Sequence, residues 1–168
     1  MTGMIRSASL GVMAGAIGTL SMDLIWYRRY RSGGGTQSFL PWETSEGTTD
    51  YESAAAPART ARAVADLAGF ELPDDSARAV NNAVHWLTGL AWGKVHGLTS
   101  LAIGTSNPLL GLGTAVLAWG TSYAVLPRLG VYEDLGEYEP EVLWQDLSAH
   151  LVFGAALGLS FRAMSSRS

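Results

Sequence analysis

The chain has 168 residues and no cysteine. Without cysteine, a disulfide scaffold, a thiolate zinc site and a cysteine nucleophile are all excluded. Charge is scarce as well, because Asp, Glu, Lys and Arg make up 15% of the residues, against about a quarter in soluble domains. The net charge of −4 favours no nucleic-acid partner, and the length fits one domain.

Signatures of soluble enzymes are missing too. The sequence has no P-loop, no dinucleotide-binding G-x-G-x-x-G after a strand and no nucleophile elbow. The run from Gly33 to Gly35 lacks the flanking strand and helix that a phosphate cradle requires. The sequence therefore predicts no catalytic residue and no cofactor, and it leans away from an enzyme.

The few charges are placed unevenly along the chain. Three long blocks hold one charged residue each: Asp23 within 7–27, Lys94 within 79–127 and Asp146 within 142–161. A soluble helix would show water a polar stripe. A bilayer instead imposes charge-free blocks, since a charge at its centre costs about 2.5–3.5 kcal/mol.

A transmembrane helix needs about 20 mostly apolar residues. The middle block is too long for one span and breaks at the turn signal of residues 104–108. We therefore predict an all-α polytopic membrane protein, one integral domain over 1–168, with four transmembrane helices. The predicted spans are 8–27, 80–103, 109–126 and 142–161.

Two other interpretations of these segments stay open. A soluble four-helix bundle with buried helices would also match their moderate hydropathy. The first span could also be a signal peptide that starts at Arg6. No small-residue cleavage site follows it, however, and the interfacial sequence from Trp26 to Arg31 favours a retained helix.

Small residues four apart recur in the predicted spans. In lipid, such ridges let helix backbones approach closely and so drive their association. Ala118 and Ser122 give the third span the same spacing. The predicted helix-packing residues are Gly11, Gly15, Gly89, Gly93, Gly97, Gly154 and Gly158. They predict a tight bundle, and the ridges fit packing within one chain or between chains.

The first loop, residues 28–78, is the one sizeable extramembrane segment. Within it, residues 58–69 predict a short amphipathic helix that has Pro57 in the favourable first-turn position and lies on the membrane surface or caps the bundle. A docking helix for a partner is the alternative. More arginines flank the side of this loop than the opposite side, so we expect the loop in the cytoplasm and both termini outside.

Every predicted span carries a polar residue near its end on the loop side. Because the spans alternate in direction, these residues fall at one depth and form a predicted polar layer. Residues four apart share a helix face, as Asp146 and His150 do. The candidates are Asp23, Asn82, His85, Tyr123, Asp146 and His150.

Three functions fit this polar layer. The first is structural, with side chains that hydrogen-bond between helices. The second is a metal site, for which His85, His150 and Asp146 are candidate ligands. The third is a proton or ion path or a pH-responsive switch, since ionisable groups inside a membrane are functional candidates.

Two further residues of the second span stand out. His96 lies about three turns after His85 on nearly the same face, which fits a proton wire or a pair of haem ligands, or simply an imidazole near the opposite interface. Lys94 lies near mid-membrane, where its side chain would snorkel to the surface or pair with an acid.

The order of these segments resembles the YagU-like group of small bacterial inner-membrane proteins of unassigned function. The resemblance covers about residues 8–160 and rests on the following sequences: Asn82-Ala-Val-His85-Trp86, then Gly89 and Trp92-Gly93, then Tyr123-Ala-Val-Leu-Pro127, and Asp146-Leu-Ser-Ala-His150-Leu-Val-Phe-Gly154. It implies a bacterial cytoplasmic membrane location and brings no catalytic residues. The polar stretch 32–49 departs from that group.

The sequence thus predicts a structural or accessory membrane protein, acting in stress tolerance or in a larger complex. The alternative is a small transporter, a proton- or pH-responsive protein, or a metal-binding protein that uses the polar layer. The expected partners are the lipid bilayer and a second copy of the chain or a membrane complex. Metal and haem stay open as cofactors.

Overall fold

The structure is a computed structural model that describes residues 2–166. Six α-helices account for most of this range, and it contains no strand, which confirms the predicted all-α class. Their bounds are α1 Thr2–Ser32, α2 Phe39–Glu43, α3 Ala56–Leu67, α4 Ala77–Ala102, α5 Leu109–Val125 and α6 Pro140–Ser165. Short 3₁₀ turns lie at Asp74–Ser76, Leu126–Leu129 and Leu135–Glu137.

Three helices are long and apolar enough to cross a membrane: Thr2–Ser32, Leu109–Leu129 and Pro140–Ser165. The multi-pass character predicted from the sequence is confirmed in this form. The helix predicted as the second span exists as α4, with 26 residues, but it has no stretch of 18 residues as apolar as those in the other three. Its crossing of the membrane stays a prediction.

The four long helices alternate in direction and lie side by side. α1 packs along both α4 and α6, and α6 packs along α5 on its other side. α4 and α5 touch each other little. This order places α1 and α6 in the middle of the bundle and leaves a space between α4 and α5.

Large apolar side chains lie mainly outside this bundle. Ile5, Leu87, Leu117 and Leu159 are each about 60% exposed. The interior is built largely from glycine, alanine, threonine and histidine, together with Phe153, Leu157 and Phe161. Soluble proteins rarely expose so large an apolar surface, and this distribution indicates contact with the acyl chains of a bilayer.

Glycines bring α1 and α4 into backbone contact. A methyl group on Gly15 would lie 2.6 Å from the Gly89 carbonyl oxygen, and one on Gly93 would lie 2.6 Å from the Gly15 Cα atom. Gly11 meets Gly93 and Gly97 in the same way. Each step of four residues along α1 is therefore matched by a step of four back along α4. The ridges that the sequence left unassigned pack within one chain.

A second contact of this kind joins α5 and α6. Gly111 faces Gly154 and Gly158 so closely that any side chain would clash with backbone. Ala115 continues the series against Gly154, and Gly158 also meets the Pro108 backbone. Gly111 was absent from the predicted set because no second glycine lies four residues from it in its own span.

The first loop contains two helices rather than the one predicted. α3 begins two residues earlier than expected, has Pro57 in its first turn, and ends before Gly69, whose φ is +76°. It caps the bundle: Ala58 is buried, and its backbone N–H donates to Asn81 Oδ1 of α4. The unexpected helix is α2, which packs Phe39 and Trp42 against Tyr27 of α1.

Candidate functional site

Asp23 of α1 and His85 of α4 form the first of two histidine–carboxylate pairs. His85 Nε2 lies 3.0 Å from each of the two Asp23 oxygens. Asp23 is only 4% exposed. The glycine contacts determine this pairing, since Thr19 packs on Gly89 and the next step of four in each helix reaches Asp23 and His85.

Glu43, the last residue of α2, completes this group. One ligand atom from each of Asp23, Glu43 and His85 can be chosen so that all three lie within 4.8 Å of one another. Glu43 Oε1 is enclosed and has no hydrogen-bond partner within residues 2–166. Burial, and then the neighbouring Asp23 carboxylate, raise the pKa of Glu43. We name Asp23, Glu43 and His85 the three-residue cluster.

The segment around Glu43 is held in place from both sides. Before it, the tilted rings of Tyr27 and Trp42 are in contact, with centroids 5.4 Å apart. After it, the Thr44 carbonyl accepts hydrogen bonds from Arg78 at 3.0 Å and from Asn82 at 3.0 Å. Glu43 therefore reaches the cluster from an anchored turn rather than from a free loop.

Asp146 and His150 of α6 form the second pair. His150 Nδ1 lies 3.4 Å from Asp146 Oδ1 and 3.0 Å from the Asp146 carbonyl oxygen. Tyr123 of α5 lies beside the same carboxylate. Asp146 Oδ2 is enclosed, and none of the described residues hydrogen-bonds it. Arg29 donates to the Gln145 carbonyl at 2.6 Å and holds this end of α6 against α1.

Residues of both pairs border one cavity of about 390 Å³ between α4 and α5. His85, Asp146 and His150 lie on its wall, and the first turn of α3 borders it. The wall is mostly apolar, with four aromatic rings from Trp26, Trp92, Tyr132 and Phe153. Burial, and then the Asp146 carboxylate, raise the pKa of Tyr132 to about 12, so its hydroxyl stays protonated at neutral pH.

The remaining sequence candidates lie elsewhere. Asn82 is on the loop side but belongs to the Thr44 anchor and not to either pair. His96 is buried in the other half of the bundle, where its Nδ1 lies 3.1 Å from Thr114 Oγ1. The Thr114 hydroxyl donates to the Leu110 carbonyl at 3.0 Å, so it accepts from His96, whose Nδ1 carries the proton.

Lys94 is exposed on the outer face of α4, and the described residues offer it no ion pair. Of the two expectations for this lysine, the structure leaves room for the first, since the side chain can extend along the outer surface. The second does not apply within residues 2–166, because no Asp or Glu there forms an ion pair with it.

Sequence reasoning missed Glu43 altogether. It lies in the polar stretch 32–49, which has no membrane-helix pattern. A weak local signal was available, because Phe39-Leu-Pro-Trp42 is an apolar run after Ser38, a residue type that favours helix N-caps. Nothing in that run indicates which helix it packs against, and the carboxylate could not be placed.

Comparisons with known proteins give no relative for this chain. No protein-family model, no curated protein and no solved structure matches it.

Proposed function

We propose that this protein is a small four-span transporter that binds a lipophilic cation in the cavity between α4 and α5. The observation that carries the proposal is the Asp146 carboxylate. It lies on the otherwise mostly apolar, aromatic wall of the cavity, and within residues 2–166 no Lys or Arg forms an ion pair with it. Aromatic faces and a carboxylate together attract a cation that has an apolar body.

The distribution of polar residues in α4 supports a fourth span. Three of the residues that lower its hydropathy, Asn81, His96 and Ser100, are buried in the bundle. Its outward face carries Leu87 and Val95, with Lys94 as the one charged residue in its middle part. At 1.5 Å per residue the 26 residues of α4 extend about 39 Å, which exceeds the roughly 30 Å hydrocarbon core.

The shape of the bundle favours entry of the cation into the cavity from the loop side only. On the loop side the helices separate around the cavity, whereas the other half is closed by backbone contact at Gly11, Gly97, Gly111 and Gly158. A lipophilic cation concentrates in the headgroup layer, close to the depth of this cavity. Entry between α4 and α5 would need little rearrangement, because these helices touch little.

Localisation and family belong to the same proposal. The motifs around His85 and His150 support the YagU-like group and hence the bacterial inner membrane, and both histidines line the cavity. The excess of arginines near α2 and α3 supports a cytoplasmic first loop.

Binding of tetraphenylphosphonium to the purified, detergent-solubilised full chain tests the proposal. We expect saturable binding by isothermal titration calorimetry, weakened at least about tenfold, or about 1.4 kcal/mol, in Asp146→Asn. Glu141→Gln is the matched control, because it removes an exposed carboxylate from the same helix. Gel filtration shows whether each variant is folded.

Two results would contradict the proposal. One is the absence of saturable binding by the folded wild-type protein, and the other is equal affinity in a folded Asp146→Asn variant. Either result would leave the pairs with the structural role, as interhelical contacts of an accessory membrane protein.

A further inference from the structure

We propose that Asp23, Glu43 and His85 bind one divalent transition-metal ion of the Zn²⁺ or Mn²⁺ class. This site goes beyond the proposed transport function. Asp23 and Glu43 do not line the cavity; Asp23 reaches His85 from α1, and Glu43 reaches it from α2. The metal site can therefore exist whether or not the cavity binds a cation.

The spacing of the ligand atoms fits a shared ion. Two adjacent ligands, each about 2.1 Å from a metal, lie about 3.0 Å apart in octahedral coordination and about 3.4 Å apart in tetrahedral coordination. His85 Nε2 lies 3.0 Å from each Asp23 oxygen, which is the octahedral spacing and only a few tenths of an ångström below the tetrahedral one. The Glu43 carboxylate lies within 4.8 Å of both, so the third ligand is within reach of the same ion.

The charge of the cluster calls for a cation. Two carboxylates face one imidazole, which leaves at least one negative charge when both acids are ionised. Within residues 2–166 no Lys or Arg forms an ion pair with Asp23 or Glu43. An uncompensated charge that is largely buried is costly, and a bound metal ion would compensate it.

The surroundings of Glu43 hold its carboxylate in place, as is typical of a metal ligand. Its Oε1 atom is enclosed and has no partner in the described part of the chain. The Trp86 indole lies against the same carboxylate, and the Thr44 anchor fixes the backbone next to it. Ligands of a metal are commonly oriented by such outer contacts.

The donor set selects the class of metal. Imidazole favours Zn²⁺, Fe²⁺ and other transition metals, whereas an all-oxygen set would favour Ca²⁺ or Mg²⁺. One imidazole with two carboxylates suits Zn²⁺ and Mn²⁺ best. Three protein ligands also leave a coordination position for water, as in open zinc sites.

Metal titration of the purified full chain tests this site. Protein in detergent is stripped with EDTA and exchanged into metal-free buffer, and free Mn²⁺ is then followed by its electron paramagnetic resonance signal. We expect one Mn²⁺ per chain, displaced by Zn²⁺ and not by an equal concentration of Ca²⁺. Glu43→Gln should weaken binding at least about tenfold.

Glu46→Gln is the matched control, because it removes an exposed carboxylate three residues away. It should bind Mn²⁺ like the wild type. Zn²⁺ should also raise the thermal midpoint of the wild type and of Glu46→Gln but not that of Glu43→Gln. Absence of stoichiometric Mn²⁺ in folded wild-type protein, or equal affinity in Glu43→Gln, would overturn the proposal.

Discussion

Asp23 lies opposite His85 because the glycine contact between α1 and α4 fixes their register. Gly15 packs on Gly89 and Gly93, and Thr19 packs on Gly89 one step further. The next step of four residues brings the Asp23 carboxylate to 3.0 Å from His85 Nε2. The close backbone contact at Gly15, Gly89 and Gly93 thus positions the Asp23 and His85 side chains.

Replacing Gly93 with alanine should loosen this contact. The new methyl group would lie 2.6 Å from the Gly15 Cα atom, so the two backbones must move apart. We expect destabilisation of about 1–3 kcal/mol, as in other overpacked interiors. The measurement is unfolding of the detergent-solubilised protein, followed by circular dichroism.

Gly113 provides the control for that substitution. A methyl group at this position of α5 meets nothing within 4 Å. Gly113→Ala should therefore keep or raise the stability. Equal losses in both variants would mean that the backbone contact between α1 and α4 does not hold the bundle.

Asp23 and His85 should be energetically coupled. In a double-mutant cycle with Asp23→Asn and His85→Gln, we expect an interaction energy of about 0.5–3 kcal/mol, because each substitution removes the charged partner from the same carboxylate–imidazole contact. The cycle is measured by chemical unfolding in the presence of EDTA, so that a bound metal does not contribute. Effects that simply add would show that the two side chains do not meet.

Much of this arrangement could be predicted from the sequence, and the reason is physical. Lipid leaves few choices: long charge-free blocks must be helices, and glycines four apart mark where backbones approach. The four long helices, their packing glycines other than Gly111, and the side of the bundle that carries Asp23 and Asp146 all follow from these constraints. The sequence does not show which ridge meets which.

Glu43 marks the limit of such reasoning. A five-residue helix in a polar loop has no periodicity to detect, and its position depends on the contact of its own Phe39 and Trp42 rings with Tyr27 of α1. The cavity is equally hidden, because it arises from the weak contact between α4 and α5. Asn82 lies at the predicted depth in the bundle, but its side chain donates to the Thr44 carbonyl of the loop. The depth of a residue along a helix does not determine the direction in which its side chain points.

Lys94 should be dispensable. It is exposed on α4 and has no ion pair with any of residues 2–166. In the four-span arrangement its long side chain runs along the outer surface of α4 with the ammonium directed towards a headgroup layer. Lys94→Met should therefore leave the thermal midpoint unchanged or raise it. A fall of several degrees would reveal a partner for this lysine.

The cysteine-free chain allows a direct topology test. Single cysteines at Glu52 and Thr105 lie in the loops before and after α4. If α4 crosses the membrane, a membrane-impermeant maleimide added to intact cells labels Thr105→Cys and not Glu52→Cys. Labelling of both or of neither would place the two loops on one side. An alkaline phosphatase fusion at Ser168 should be active for the same orientation.

Asp23 and His85 face each other within one four-helix bundle, and cross-linking can test this contact. Asp23→Cys is combined with His85→Cys, and the membranes are treated with o-phenylenedimaleimide. After tryptic cleavage in the loop between α1 and α4, we expect the two fragments to stay joined at the mass of one chain. The control pair combines His85→Cys with Leu24→Cys, which is half exposed on the outer side of α1, and its fragments should separate. Separation of the first pair, or equal cross-linking of both pairs, would mean that Asp23 does not face His85.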